Sequence, residues 1–99
     1  MAKYFLTNKA VEDLAAIWQY TYDTWSERQA DKYYEMLTSS FQEILEDSYL
    51  GKKYQEIDTS VMGFRVGKHI VFYRIVPLND IEVLRILHQR MDLKSRMEE

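Results

Sequence analysis

The residues best suited to do chemistry in this chain are basic. Arg65, Arg74, Arg85, His88 and Arg90 all fall in its second half, among β-branched and aromatic residues. Successive side chains of a strand point to opposite faces. If Met62, Phe64 and Val66 point into a core, Arg65 points away from it. If Val71, Tyr73 and Ile75 point in, so does Arg74 point out, and Arg85 alternates with Leu84 and Ile86 in the same way. His88 and Arg90 stand at the end of the last apolar run. Guanidinium groups on neighbouring strands make a positive platform for phosphate or carboxylate, because their planar fork grips either anion with two parallel hydrogen bonds. The competing expectation pairs each arginine with a nearby acid such as Glu82 or Asp92.

Other chemistries lack their residues. The chain has no cysteine, which removes disulfides, thiolate metal sites and a cysteine nucleophile. There is no phosphate loop, dinucleotide fingerprint, His-x-x-x-His or Gly-x-Ser-x-Gly. His69 and His88 lie in different strands with no acidic pair at ligand spacing, so neither a metal nor another cofactor is expected. The aromatics Trp18, Tyr22, Trp25, Tyr33, Tyr34 and Phe41 recur at helical spacing, which points to core or hairpin packing, with Trp25 the best candidate for exposure.

Charge is unevenly divided. Residues 1–50 carry four basic and nine acidic side chains, a balance of −5. Residues 51–97 carry nine basic and five acidic ones, a balance of +4. One acidic and one basic face follow, and a basic face attracts acidic partners or nucleic acid.

The elements that must position the basic set are legible in the pattern. With 99 residues, 46% of them hydrophobic, residues 1–99 make a single domain. The composition is that of a small globular protein, and no stretch approaches the ~20 apolar residues needed to span a bilayer. With no signal-like run at the start and no cysteine, a cytoplasmic protein is expected. Lys3–Leu6 reads as a short strand, followed by Thr7 or Asn8 as a helix cap. Val11, Leu14, Ala15, Trp18, Tyr22 and Trp25 form one helical stripe. Ala30, Tyr33, Tyr34, Leu37, Phe41, Ile44 and Leu45 form a second, opened by the capping box Ser26-x-x-Gln29. So short a break makes an antiparallel helical hairpin. Residues 48–60, with Gly51 and the pair Lys52-Lys53, read as a solvated loop. Three strands follow: residues 61–66, a Gly67-Lys68 turn, His69–Val76, a Pro77–Asp80 turn, and Ile81–His88. Gln89 onward reads as a short helix or tail. The fold class is therefore α+β, a strand and a helical hairpin packed on one face of an antiparallel sheet (β-α-α-β-β-β), with the other face left bare.

Thr7-Asn8-Lys9-Ala10-Val11-Glu12-Asp13-Leu14 with Ile17-Trp18-Gln19-Tyr20 resembles the opening of ParE toxins in the RelE/ParE superfamily. Gly63-Phe64-Arg65-Val66 and Ile70-Val71-Phe72-Tyr73-Arg74-Ile75 are similar to that family's middle strands. Ile86-Leu87-His88-Gln89-Arg90-Met91-Asp92 is similar to its Leu-His-x-Arg-x-Asp ending. The resemblance spans roughly residues 4–95 and implies a type II toxin–antitoxin system. Its toxin binds DNA gyrase, stabilises the cleaved gyrase–DNA state and blocks replication, and a ParD-like antitoxin neutralises it in a hetero-oligomer. Arg65, Arg74, His88 and Arg90 are then the target-binding candidates, with no catalytic residue.

The superfamily's other activity is ribosome-dependent mRNA cleavage, which needs a base for the 2′-hydroxyl and cations for the transition state. RelE-type sequences carry a basic residue where Ile70 stands here and a tyrosine near the C-terminus, whereas no tyrosine follows Tyr73. His88 with Arg65, Arg74 and Arg90 is the substitute set that such an alternative would require. An antitoxin segment would lay a helix on the hairpin and a strand on a sheet edge, an acidic tail matching the +4 of residues 51–97.

Overall fold

The computed structural model describes residues 2–98. Elements run β1 (Tyr4–Leu6), α1 (Asn8–Thr24), α2 (Glu27–Glu46), β2 (Lys52–Lys53), β3 (Met62–Val66), β4 (His69–Val76), β5 (Asp80–His88) and α3 (Leu93–Met97). Thr7 is the cap of α1, its hydroxyl accepting from the Ala10 N–H. Ser26 caps α2 by accepting from the Gln29 N–H, so the chain reverses between helices across Trp25 and Ser26 alone. α1 and α2 therefore form the expected hairpin.

The sheet has five strands in the order β1-β5-β4-β3-β2. β3, β4 and β5 are the expected antiparallel meander. Gly67, at φ +58°, makes the first turn; Leu78 and Asn79 take positive φ in the short 3-10 turn of the second. β1 lies parallel to β5, Tyr4 opposite Ile81 and Leu6 opposite Val83, so one edge of the sheet is not antiparallel. Lys52 and Lys53, expected in a solvated loop, pair with Gly63 and Met62 as a two-residue edge strand. Their side chains are exposed all the same. Tyr73 holds this corner: its hydroxyl donates to the Ser48 carbonyl (2.8 Å) and accepts from the Gly51 N–H (3.1 Å).

The hairpin covers one face. Ala10, Leu14, Leu37, Phe41 and Ile44 pack on Met62, Val66, Val71, Tyr73, Ile81, Val83 and Ile86. The α2 stripe is buried much as its period dictates. On α1 the buried line is Ala10 and Leu14, while Val11, Tyr22 and Trp25 of the expected stripe are exposed. The stripe drifts off the sheet toward the far end of α1, which packs against α2. There Trp18 stacks on Tyr22 (5.2 Å) and its indole N–H donates to Asp31 (3.0 Å).

The opposite face is not bare, which corrects the expectation from the pattern. Val61, Ile70, Phe72 and Leu87 form a second buried cluster, covered by Tyr54, Ile57, Leu84, Leu93 and Met97. Burying each such apolar side chain is worth about 1.5–3 kcal/mol, and β4 carries one on either side at nearly every position. A strand built this way demands cover on both sides, and the loop after β2 and α3 provide it. No helix among the described residues is long and apolar enough to cross a membrane.

Candidate functional site

The fold sorts the basic residues into two groups. Arg85 is buried, and its guanidinium forms an ion pair with Asp13 of α1 through Nε (2.7 Å) and Nη2 (3.0 Å) while Nη1 donates to the Arg96 carbonyl of α3 (2.6 Å). A register shift between Phe72 and Tyr73 sets Arg85 opposite Phe72, on the face that α3 covers. Asp13 also accepts the Ile86 N–H (3.0 Å), so one carboxylate ties α1 to the free edge of β5. Arg85 thus joins α1, β5 and α3 and is no part of an exposed platform. Arg74 is exposed, opposite Glu82 on β5, and forms an ion pair with it.

Arg65, His88 and Arg90 lie toward the other end of the meander, where β3 turns into β4 and β5 runs out, but not on one face: Arg65 stands opposite Ile70 on the face that α3 covers, whereas His88 stands opposite His69 on the hairpin face. Arg65 is exposed and donates from Nε to the Gly67 carbonyl (3.2 Å), which leaves its two Nη groups as an outward fork. Arg90 is exposed in the turn after β5, which Met91 closes by donating from its N–H to the His88 carbonyl (3.0 Å). The Gln89 N–H donates to the Lys68 carbonyl (2.9 Å), stitching the two chain reversals together. Lys68, exposed between them, adds a cation that the alternation pattern did not single out.

A second group missed by the pattern lies just inside this end. His69 stands opposite His88 across β4 and β5, with ring centroids 5.3 Å apart and the planes nearly perpendicular. Tyr33 of α2 reaches down to them. Its hydroxyl accepts from the Lys68 N–H (3.1 Å), lies 3.3 Å from the Val66 carbonyl and shares a hydrogen bond of 2.6 Å with Nδ1 of His69. His88 accepts the Arg90 N–H on Nδ1 (3.1 Å), so its proton sits on Nε2 when the ring is neutral. Burial lowers the pKa of His69 to about 4, and the neighbouring His88 adds to the effect while Asp13 opposes it. Burial raises the pKa of Tyr33. His69 is therefore neutral near pH 7 and unable to serve as a cation. The sequence did hold one sign of this pairing, since His69 and His88 sit at matching ends of adjacent strands in a tight meander.

Beside this end a groove of about 350 Å³ runs along β3, lined by Lys52, Tyr54, Gly63, Arg65, Ile70 and Gln89 among others. Lys52 holds its ammonium 5.1 Å from the centre of the Tyr54 ring. No group of three or more His, Asp or Glu among the described residues is arranged to hold a metal ion. The chemistry offered is recognition of anions by exposed, backbone-braced cations.

Comparisons with known proteins agree with this architecture. The profile of the ParE toxin of type II toxin-antitoxin system, parDE, matches residues 4–93. Toxin ParE1 of Mycobacterium tuberculosis is 34% identical over 96 residues, covering 97% of this chain and 98% of that protein. Toxin ParE1 of Caulobacter vibrioides is 30% identical over 97 residues, covering 98% and 99%. Among solved structures, the chromosomal ParDE system of P. aeruginosa superposes with a TM-score of 0.74 at 20% identity, covering 89% of this chain and 95% of that one. A RelBE2 toxin–antitoxin complex from Mycobacterium tuberculosis follows with a TM-score of 0.62 at 19% identity, covering 89% and 98%. At those identities the superpositions speak for the fold, and the near full-length sequence matches speak for the family. This chain belongs to the ParE toxin family of type II toxin–antitoxin systems.

Proposed function

We propose that this toxin acts by binding DNA gyrase and blocking replication, and that a ParD-like antitoxin neutralises it in a hetero-oligomer. The observation that carries this is the full-length similarity to proteins named Toxin ParE1. The contact elements are Arg65, His88 and Arg90 at the β3–β4 end of the sheet, with Arg74 farther along β4. Arg65 and Arg90 are exposed with their forks turned outward or free of a side-chain acid in the hydrogen bonds described above, which suits a polyanionic target. The role is binding without catalysis, in the cytoplasm.

The antitoxin engages different features. The edge strand β2 pairs over only two residues and leaves the rest of the β3 edge open to a segment added as a strand. Acidic residues in that segment match the positive balance of residues 51–97, so association should quicken at low salt.

Expression of the chain without its antitoxin tests the proposal. Growth should stop with DNA synthesis arrested and translated messages intact. Messages cut in phase with codons while replication continues would favour ribosome-dependent cleavage instead.

A further inference from the structure

The structure assigns a second contact to the cationic end of the sheet: Arg65, Lys68 and Arg90 form a rim that binds the phosphodiester backbone of duplex DNA directly. This rests on the gyrase reading for its biological setting, since gyrase acts on DNA. The binding itself is a property of this chain alone.

Three observations converge. First, the fold spends two of its meander arginines internally, Arg85 on Asp13 and Arg74 on Glu82. Arg65, by contrast, uses only Nε, on a backbone carbonyl, and keeps its two Nη groups for an outside anion. Second, the rim is braced. Lys68 is fixed through its N–H to Tyr33 and through its carbonyl to Gln89, and the Arg90 backbone is fixed to His88. Lys68 and Arg90 are therefore held on backbone pinned from α2 and the end of β5, and Arg65 is braced by its own bond to the Gly67 carbonyl. Third, Arg65 stands on β3 and Arg90 follows β5, the two strands that flank β4. At about 4.8 Å between strands the rim spans on the order of 10 Å, enough for more than one phosphate of a duplex.

Charge complementarity selects the occupant. The rim stands at two chain reversals, and the side chains it presents are cationic. A row of like charges met by cations alone is recognised as a polyanion of regular spacing, and nucleic acid supplies that without sequence readout. Residues 51–97, which supply all three cations, carry the net +4.

The test is fluorescence anisotropy of the purified chain with a labelled 20-base-pair duplex, without gyrase, across salt concentrations. Three phosphate contacts give a log–log slope of roughly −2.7 and about a 40-fold loss of affinity between 50 and 200 mM salt. Arg65→Ala with Arg90→Ala should cut the slope to about −0.9 and weaken binding at least ~10-fold at 50 mM. Lys9→Ala, which removes the same kind of charge from the start of α1, should leave binding within about twofold. Amide shifts in the NMR spectrum of the wild-type chain, independent of any variant's folding, should concentrate at 65–69 and 88–91 on adding duplex. No binding at 50 mM salt, shifts centred elsewhere, or equal affinity for a polyglutamate peptide of matched charge would each overturn the inference. Gyrase inhibition by a chain that binds no DNA would overturn it while leaving the gyrase reading intact.

Discussion

Tyr33 of α2 and His69 of β4 share a hydrogen bond of 2.6 Å, and through it the helical hairpin grips the end of the sheet that carries the exposed cations. The same hydroxyl accepts the Lys68 N–H, so one side chain orders both the β3–β4 turn and the histidine pair. Replacing Tyr33 with Phe leaves the Lys68 N–H and His69 Nδ1 without that partner. A lost hydrogen bond at a half-buried site costs about 1–2 kcal/mol. Urea unfolding of Tyr33→Phe should show that loss with an unchanged m value.

His69 predicts how stability follows pH. Its pKa is lowered from the usual histidine range to about 4 by burial, with His88 contributing. The unfolded chain therefore binds the proton more readily than the native one, and stability rises with pH. The contribution is complete above about pH 6.5, falls away as the pH drops, and is exhausted near pH 4. Because the ring is only partly screened from water, the expected loss is about 1–2 kcal/mol. Thermal melts between pH 7 and 4 should show it, and His69→Gln should flatten that part of the profile.

Asp13 and Arg85 make the most consequential ion pair of the fold. Their side chains are 14% and 10% exposed, so removing one charge leaves the other poorly hydrated. Asp13→Asn should cost about 3 kcal/mol, as breaking a buried pair does. Adding Arg85→Met should bring stability part of the way back, because the unpaired charge is gone. Chemical denaturation of the two variants measures both effects.

The second core predicts a role for α3. Leu93 and Met97 cover Ile70, Phe72 and Leu87 on the side of the sheet away from the hairpin. Leu93→Ser with Met97→Ser should cost about 2 kcal/mol in total for half-buried side chains and raise the binding of a hydrophobic dye. Unchanged stability and no dye binding would mean that the strands need no such cover.

Local pattern made much of this molecule legible. The α2 stripe, the Ser26 cap, the Gly67 turn and the alternation in β3 are short-range features, each set by residues within a few positions of one another. What the pattern hid was set by distant partners. Lys3 and Asp80, 77 positions apart, join β1 to β5, and nothing local to Tyr4–Leu6 announces a parallel neighbour. Arg85 alternates like a surface residue, yet a register shift and Asp13, 72 positions away, bury it. Phe72 and Leu87 looked solvent-facing once the hairpin had been assigned to one side, although their apolar character already required a second cover. Glu82 is one of the acids that the sequence offers an arginine, and it does hold Arg74. The meeting of the histidine pair with Tyr33 is hidden in the sequence because it depends on the register of two strands and the overhang of α2.

In the proposed mechanism the exposed cations at this end of the sheet engage gyrase on DNA. Its most direct measurement is plasmid supercoiling and cleavage by purified gyrase with the chain present, beside the Arg65→Ala/Arg90→Ala variant at equal folded concentration. Inhibited supercoiling with accumulated cleaved plasmid is expected for the wild type, and at least a tenfold higher concentration for the variant, about 1.4 kcal/mol of binding. Supercoiling and cleavage unchanged by the wild-type chain, or a variant as potent as the wild type, would contradict it.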